Sequence, residues 1–583
     1  MEKAWWRSRM WTATATAVVI LLPSFALLGY MESEHALLSQ TSSVLEGIVS
    51  SSYGYAAGAL PTSGGGATAV GPVQDLIARL RERTRLALAS SADEPYSEEE
   101  QQIWAVRNPC VARDALPARY KRRTFAQDPA PNAAWARVFH EYSNLHRACT
   151  RRIGNLSRAF YSDASDAVPP GCQFVIGESY TGLGNKMLVL ASTLMYAVLT
   201  GRVLLAPANT LIPAVFCEPF EGSSWRVDDD GMTNLKAGGP WTEVAGSFGW
   251  VDEQAAENVS RLLTRVKVHN GWQPVNRFYC DSEQAFLSQV PWMQIGACLH
   301  FLPRLFAVPK FRPVMEALFP DRMALTHLLR SALLPSDAVW ERVLNVDEVY
   351  LEHTERQIGV QVRYFDQRIR DRINSRVGDC CLENDLLPAV QPFPSPAAAT
   401  NANQSAPTTA NVRTARSGHQ HSRITKVFIA SLLPDVHDYL NQRYLRQRTV
   451  GEVAVGLVQL THESSQRTGV EVDSEALVEM LCLSFSDHLL VTPQSTFGGV
   501  AQAYGALKPW FINYDRDPSI PPSVNCQRGQ SVDVCYQGGP RGYDCKHDPG
   551  LKGHNLFDDL PYLQPCLGID TSGIQIITSH DSL

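Results

Sequence analysis

Residues 172–206 constrain the fold more than any other stretch of the chain. An apolar run at 172–176 leads into Gly182-Leu183-Gly184-Asn185-Lys186. Residues 187–199 then carry no charge at all, and 202–206 are apolar again after Arg202. A helix without a polar face must be buried on both sides, and two apolar strands joined through it lie parallel, so this is half of a doubly wound α/β domain. Gly182 and Gly184 let the backbone come close to an anion. Asn185 and Lys186 open a helix whose free N–H groups point towards that anion. A nucleotide sugar fits such a loop. A lone Gly-x-Gly pair is more often an empty tight turn, so the rest of the chain has to decide.

Residues 11–30 are uncharged, long enough to cross a hydrocarbon core of about 30 Å at roughly 1.5 Å per residue. Lys3, Arg7 and Arg9 precede them and Glu32 and Glu34 follow, which keeps the amino terminus cytosolic and the remainder luminal. A cleaved signal peptide is the rival reading, but no small-x-small site follows closely. The organisation expected is a tail (1–10), a signal-anchor (11–30), a Ser-, Ala- and Gly-rich stem (31–107), and two halves at 108–350 and 351–583. A Pro-, Thr- and Asn-rich insertion at 391–422 cannot bury a core.

The net charge of −7 excludes a general nucleic-acid binder. None of the thirteen cysteines forms a Cys-x-x-Cys pair, so disulfides are expected rather than structural zinc, with at least one thiol unpaired. Cys526, Cys535, Cys545 and Cys566 crowd the tail. Asn155, Asn258 and Asn403 head N-glycan triplets, which are compatible with the lumen.

From residue 350 onwards, short apolar runs at 358–363, 427–431, 453–459, 488–493 and 509–513 alternate with helical patterns at 435–445, 474–486 and 500–507. That is a second parallel sheet, and ligands bind beyond the carboxyl ends of such strands. Three polar groups fall there. Arg363 closes an apolar strand, where a guanidinium must meet an anion or leave the core; a structural carboxylate is about as common a partner as a pyrophosphate. Ser495-Thr496-Phe497-Gly498 offers hydroxyls and amides at a helix start, although such a turn is usually only a cap. His462 and Glu463 lie in a loop, and the carboxylate could accept from the N1 and amino hydrogens of guanine.

Taken together, these residues resemble the plant xyloglucan fucosyltransferase family. The resemblance rests on Gly182 to Met187, Cys217-Glu218-Pro219-Phe220 with Ser224-Trp225, Val290-Pro291-Trp292, Gly359-Val360-Gln361-Val362-Arg363, Thr492 to Gly498 and Leu507-Lys508-Pro509-Trp510. Cys110, Arg113, Tyr120, Leu145-His146 and Cys149 precede them. It implies an α/β fold of the GT-B type, with two Rossmann-like halves after a single N-terminal transmembrane helix. The first half would lie on the acceptor side and the second would bind GDP-fucose. The activity implied is inverting transfer of L-fucose from GDP-β-L-fucose to a terminal galactose of xyloglucan or arabinogalactan, in α-1,2 linkage. The setting implied is a type II Golgi membrane protein.

The donor site carried over falls on Gly184, Asn185, Arg363, Ser495, Thr496 and Phe497, with Arg363 catalytic through its charge; Gly182, Lys186, His462, Glu463 and Gly498 join it as nucleotide-binding candidates from the reading of the same loops. No cofactor and no metal are implied, GDP-fucose being a substrate, and Asp228-Asp229-Asp230 reads as a solvated run. Partners are GDP-fucose, a galactosylated cell-wall polysaccharide or glycoprotein, the Golgi membrane and a second copy of the chain in a homodimer. The chain departs from the family where an acid is expected after Val-Pro-Trp: it reads Cys298-Leu299-His300-Phe301, which leaves His300 as a candidate proton acceptor. Gly499 in place of an aromatic, and Thr326 to Arg330 in place of a double-histidine stretch, are expected to alter the acceptor side. Two alternatives share these residues: a catalytically silent nucleotide- or glycan-binding scaffold, and a protein O-fucosyltransferase.

Overall fold

A computed structural model of the chain describes residues 71–89, 110–153, 168–207, 212–227, 241–243, 263–268, 278–391, 423–460, 469–538, 541–545, 554–568 and 573–578, apart from positions 124, 127, 180, 452 and 544. The expected anchor, the insertion from 392 on, His462, Glu463, Asp228 to Asp230 and the three glycan asparagines lie outside the described residues.

The uncharged stretch after Gly184 forms helix α4 (Leu183–Thr200), buried over nearly its whole length because it packs between sheet and helices. It has the length and apolarity to cross a membrane, but 83% of it is covered by the protein itself, so it is a core helix. It joins β1 (Phe174–Glu178) to β2 (Val203–Pro207), both fully buried. With β3 (Arg226–Val227), β4 (Trp241–Glu243), β5 (Leu263–Val268) and β6 (Trp292–Ala297) these make a parallel sheet in the order β3-β2-β1-β6-β5-β4. Arg202 is buried at the start of β2 and donates to the carbonyls of Phe174, Leu287 and Val290, which satisfies its charge by dipoles.

A second sheet has the order β12-β11-β10-β7-β8-β9. Its strands are β7 (Arg356–Gln361), β8 (Ile424–Ala430), β9 (Ala454–Gln459), β10 (His488–Val491), β11 (Trp510–Ile512) and β12 (Cys526–Arg528). All its pairings are parallel except β11 with β12. A hairpin of β13 (Leu563–Pro565) and β14 (Ile574–Ile576) completes the strands among the described residues. Both large sheets reverse their strand order next to a central strand, between β1 and β6 and between β7 and β10. Loops leave those paired strands in opposite directions and open a crevice at their carboxyl ends.

The stem expected to reach residue 107 is corrected by helix α1 (Pro72–Ala89). Its Leu76, Ile77, Leu80 and Ala87 are buried, and Arg83 hydrogen-bonds Gln173 Oε1 at 3.0 Å. Apolar side chains at helical spacing were diluted there by Ala and Arg, which hid the stripe from a compositional reading. Helices α2 (Ala112–Tyr120) and α3 (Ala133–Ile153) follow. Five disulfides join Cys110–Cys217, Cys149–Cys172, Cys280–Cys545, Cys380–Cys526 and Cys535–Cys566. Cys298, Cys381 and Cys482 are free thiols.

Candidate active site

Gly182 is the N-cap of α4, in extended conformation and without a side chain to cap the first turn. Asn185 follows in that turn, and its Oδ1 is buried with no hydrogen-bond partner. The helix after β10, α9 (Thr496–Gly505), starts the same way: its N-cap Ser495 makes no side-chain cap, and Ser495 Oγ is buried and unbonded. Uncapped first-turn amides carry partial positive charge and suit an anion.

These two helix starts belong to different sheets, yet they touch. A Cβ added to Gly184 would lie 3.0 Å from the carbonyl carbon of Thr496 and 3.1 Å from its oxygen, so a larger residue would have to push the two helix starts apart. Gly498, one turn into α9, is equally enclosed: a Cβ there would meet Gln361 Oε1 at 2.7 Å, and that oxygen too lacks a partner. Phe497 is half-buried beside it. Three polar atoms without a bond thus surround one contact, and a buried polar group of this kind favours a partner.

Arg363 lies two residues beyond β7, on the same side as Gln361 by the strand period. Its backbone is fixed from β10 and β11. Its N–H donates to Thr492 Oγ1 at 2.9 Å, and its carbonyl accepts from the Tyr514 hydroxyl at 2.9 Å. Burial raises the Tyr514 hydroxyl to about 12, so it stays a donor. The Arg363 side chain is exposed, its guanidinium 5.1 Å from the Phe365 ring centroid. Tyr514 gives no signal in the sequence, because a tyrosine following a strand is ordinary there, and Thr492 enters only as the first residue of a family block.

Residues 89–546 match the family model described as xyloglucan fucosyltransferase. The chain belongs to that family. A galactoside 2-alpha-L-fucosyltransferase of Arabidopsis thaliana is 29% identical over 450 residues, 75% of either chain. A probable fucosyltransferase 8 of the same plant is 30% identical over 391 residues, covering 64% of this chain and 71% of its own. Among solved structures, an Arabidopsis thaliana FUT1 variant in complex with GDP aligns with a TM-score of 0.64 at 25% identity, over 85% of this chain and 99% of that one. As a xyloglucan fucosyltransferase family member, the chain is a glycosyltransferase.

Several of the residue blocks that mark the family serve architecture. Glu218 accepts from Ser224 Oγ at 2.8 Å and Trp225 N at 3.1 Å, bracing the loop that the Cys110–Cys217 disulfide anchors. Lys186 has a similar duty: its ammonium pairs with Asp473 at 3.2 Å, tying α4 to helix α8 (Val470–Ser484).

His300 is buried, 1% exposed. Its Nε2 meets Asp533 Oδ1 at 3.0 Å and its Nδ1 meets Ser192 Oγ at 3.2 Å, so neither ring nitrogen faces an incoming hydroxyl. Cys298, one residue past β6, is half-buried, and burial raises its thiol pKa, which keeps it protonated.

The two departures expected to change the acceptor side are packed inward instead. Thr326 donates to Ala503 O and Arg330 to Tyr504 O, both at 2.7 Å, which caps the carboxyl end of α9 with positive charge. A Cβ on Gly499 would meet Val534 at 3.0 Å, so the space an aromatic would need is filled. Among the described residues no three His, Cys, Asp or Glu side chains cluster as metal ligands would.

Proposed function

We propose that this chain transfers L-fucose from GDP-β-L-fucose to the 2-hydroxyl of a terminal galactose on a cell-wall glycan, xyloglucan or arabinogalactan. The linkage is α-1,2 and the anomeric carbon inverts. The observation that carries the reading is the contact of Gly184 with Thr496 across the two sheets, each next in the chain to a residue with an unbonded buried oxygen, Asn185 and Ser495, together with the exposed guanidinium of Arg363 two residues beyond β7. Two helix starts and a cation from three strand ends describe a cradle for a diphosphate.

In this mechanism the galactose oxygen bonds to the fucose anomeric carbon from the face opposite GDP. The bond to the β-phosphate oxygen breaks and its electron pair leaves with GDP. Arg363 offsets the charge growing on that oxygen, as preorganised electrostatic catalysis requires, and no metal is called for. His300, engaged at both nitrogens, holds the β6 loop in place. The galactose proton passes to water as the ring carbon takes on oxocarbenium character. The setting is a type II Golgi membrane protein with its catalytic part in the lumen.

The full chain in detergent, given GDP-fucose and a panel of fucose-free galactosylated glycans, should release GDP and add one deoxyhexose to at least one acceptor. Binding of GDP-fucose with no acceptor modified across the panel refutes the transfer. It would favour the silent binding protein to which Cys298, in place of an acid, points.

A further inference from the structure

The ring of Phe365 is exposed at the carboxyl end of the second sheet, within reach of two cations. The guanidinium of Arg363 is 5.1 Å from its centroid and that of Arg516 is 5.0 Å from it. Arg516 comes from the loop after β11, which is separated from β7 by β10, so two different loops deliver these charges to one aromatic ring.

The surrounding arginines are already matched. Arg368 pairs with Asp366 at 2.8 Å, Arg370 with Asp435 at 3.1 Å, Arg372 with Asp515 at 2.9 Å and Arg376 with the same Asp515 at 2.7 Å. Arg516 is exposed and makes no ion pair within 4.0 Å among the described residues; the carboxylate of Asp366, itself bonded to Arg368, is the acid that feels its charge. Two guanidinium groups drawn to one ring repel each other, and stacking on an exposed aromatic returns only on the order of 0.5–1 kcal/mol apiece. A ligand carrying more than one negative charge removes that repulsion and meets both forks at once.

We propose that Arg516 is a second guanidinium for the donor's diphosphate, with Phe365 a positioning residue that holds the two cations ready before the nucleotide arrives. This rests on the reading that Arg363 faces that diphosphate. Arg516 then contributes through charge on the phosphoryl groups and not through the base or the sugar.

The test is calorimetry on the full chain with GDP, GMP and guanosine, comparing wild type with R516A, R516K and R363A. R516A should weaken GDP about tenfold, the low end for a charge-assisted contact. It should weaken GMP less, leave guanosine unchanged and leave the ligand-free melting temperature unchanged, while R516K recovers part of the loss. GDP affinity in R516A within twofold of wild type, beside a clear loss in R363A, overturns the proposal alone. If neither variant weakens GDP, the placement of the donor fails with it. A loss shared equally by guanosine would mean that Arg516 shapes the site as a whole, and this too overturns the proposal.

Discussion

Gly184 and Thr496 set the finest scale at which the cleft is defined. A methyl group at 184 would press on backbone atoms of α9 that cannot rotate away, and overpacking of this kind costs about 1–3 kcal/mol. Gly184→Ala should therefore lower the melting temperature by a few degrees and weaken GDP at least tenfold, read by thermal shift and calorimetry. His146 provides a pH-dependent counterpart. Its ring is enclosed between Ser223 Oγ and the Leu204 carbonyl, and burial pushes its pKa down to about 4, against about 6.5 in an unfolded chain. Between those values the unfolded chain holds the extra proton, so the stability contributed by neutral His146 is complete above pH 6.5 and is lost as pH falls towards 4. The loss is on the order of 3 kcal/mol. Denaturant midpoints from pH 7 to pH 4.5 should fall, and His146→Asn should flatten that slope; an unchanged slope removes His146 as its cause. Gly184 was legible as a glycine that an anion loop needs. His146 was legible only as part of a family block, because nothing local says which carbonyl a buried imidazole will find.

At the scale of elements, long periodic segments were read well and sparse ones were not. The expected runs at 427–431 and 453–459 are β8 and β9, and the pattern at 435–445 is helix α7 (Asp435–Arg446), each shifted by a few residues at its ends. Helix α6 (Arg370–Glu383) escaped notice, since its core face is Ile373, Val377 and Cys380 amid arginines and acids. The stem reading failed at α1 for the same reason: four buried apolar positions in eighteen suffice when a neighbouring helix supplies the other side. Each large apolar side chain buried there contributes about 1.5–3 kcal/mol. A chain beginning at residue 71 should therefore melt like the full protein, whereas one beginning at residue 90 should lose several kcal/mol or fail to accumulate as soluble protein. Equal melting of both truncations would show that α1 is dispensable.

Across the whole molecule the two sheets are held together by contacts that bridge them. Arg119 pairs with Asp347 at 2.5 Å, the Tyr120 hydroxyl meets Ser484 Oγ at 2.8 Å, and Lys186 reaches Asp473, both side chains being nearly inaccessible. Removing one member of a buried pair strands the other charge and costs about 3–5 kcal/mol, while replacing both with apolar groups of similar size is near neutral. Lys186→Met should thus destabilise strongly, and Lys186→Met with Asp473→Leu should recover most of the loss. If the double variant folds and still binds GDP, Lys186 is a brace. If it folds and has lost GDP, Lys186 is a ligand as the sequence motif suggested. What the sequence by itself determined was the kind of layer each segment joins, because burial period and glycine placement are local properties of the chain. Which loops meet was decided only by tertiary structure. Gly184 and Thr496 stand more than three hundred positions apart, and their contact, the pairing of Lys186, the enclosure of His300 and the exposure of Arg516 all follow from how two sheets dock. That docking depends on the sum of many side-chain volumes rather than on any single residue.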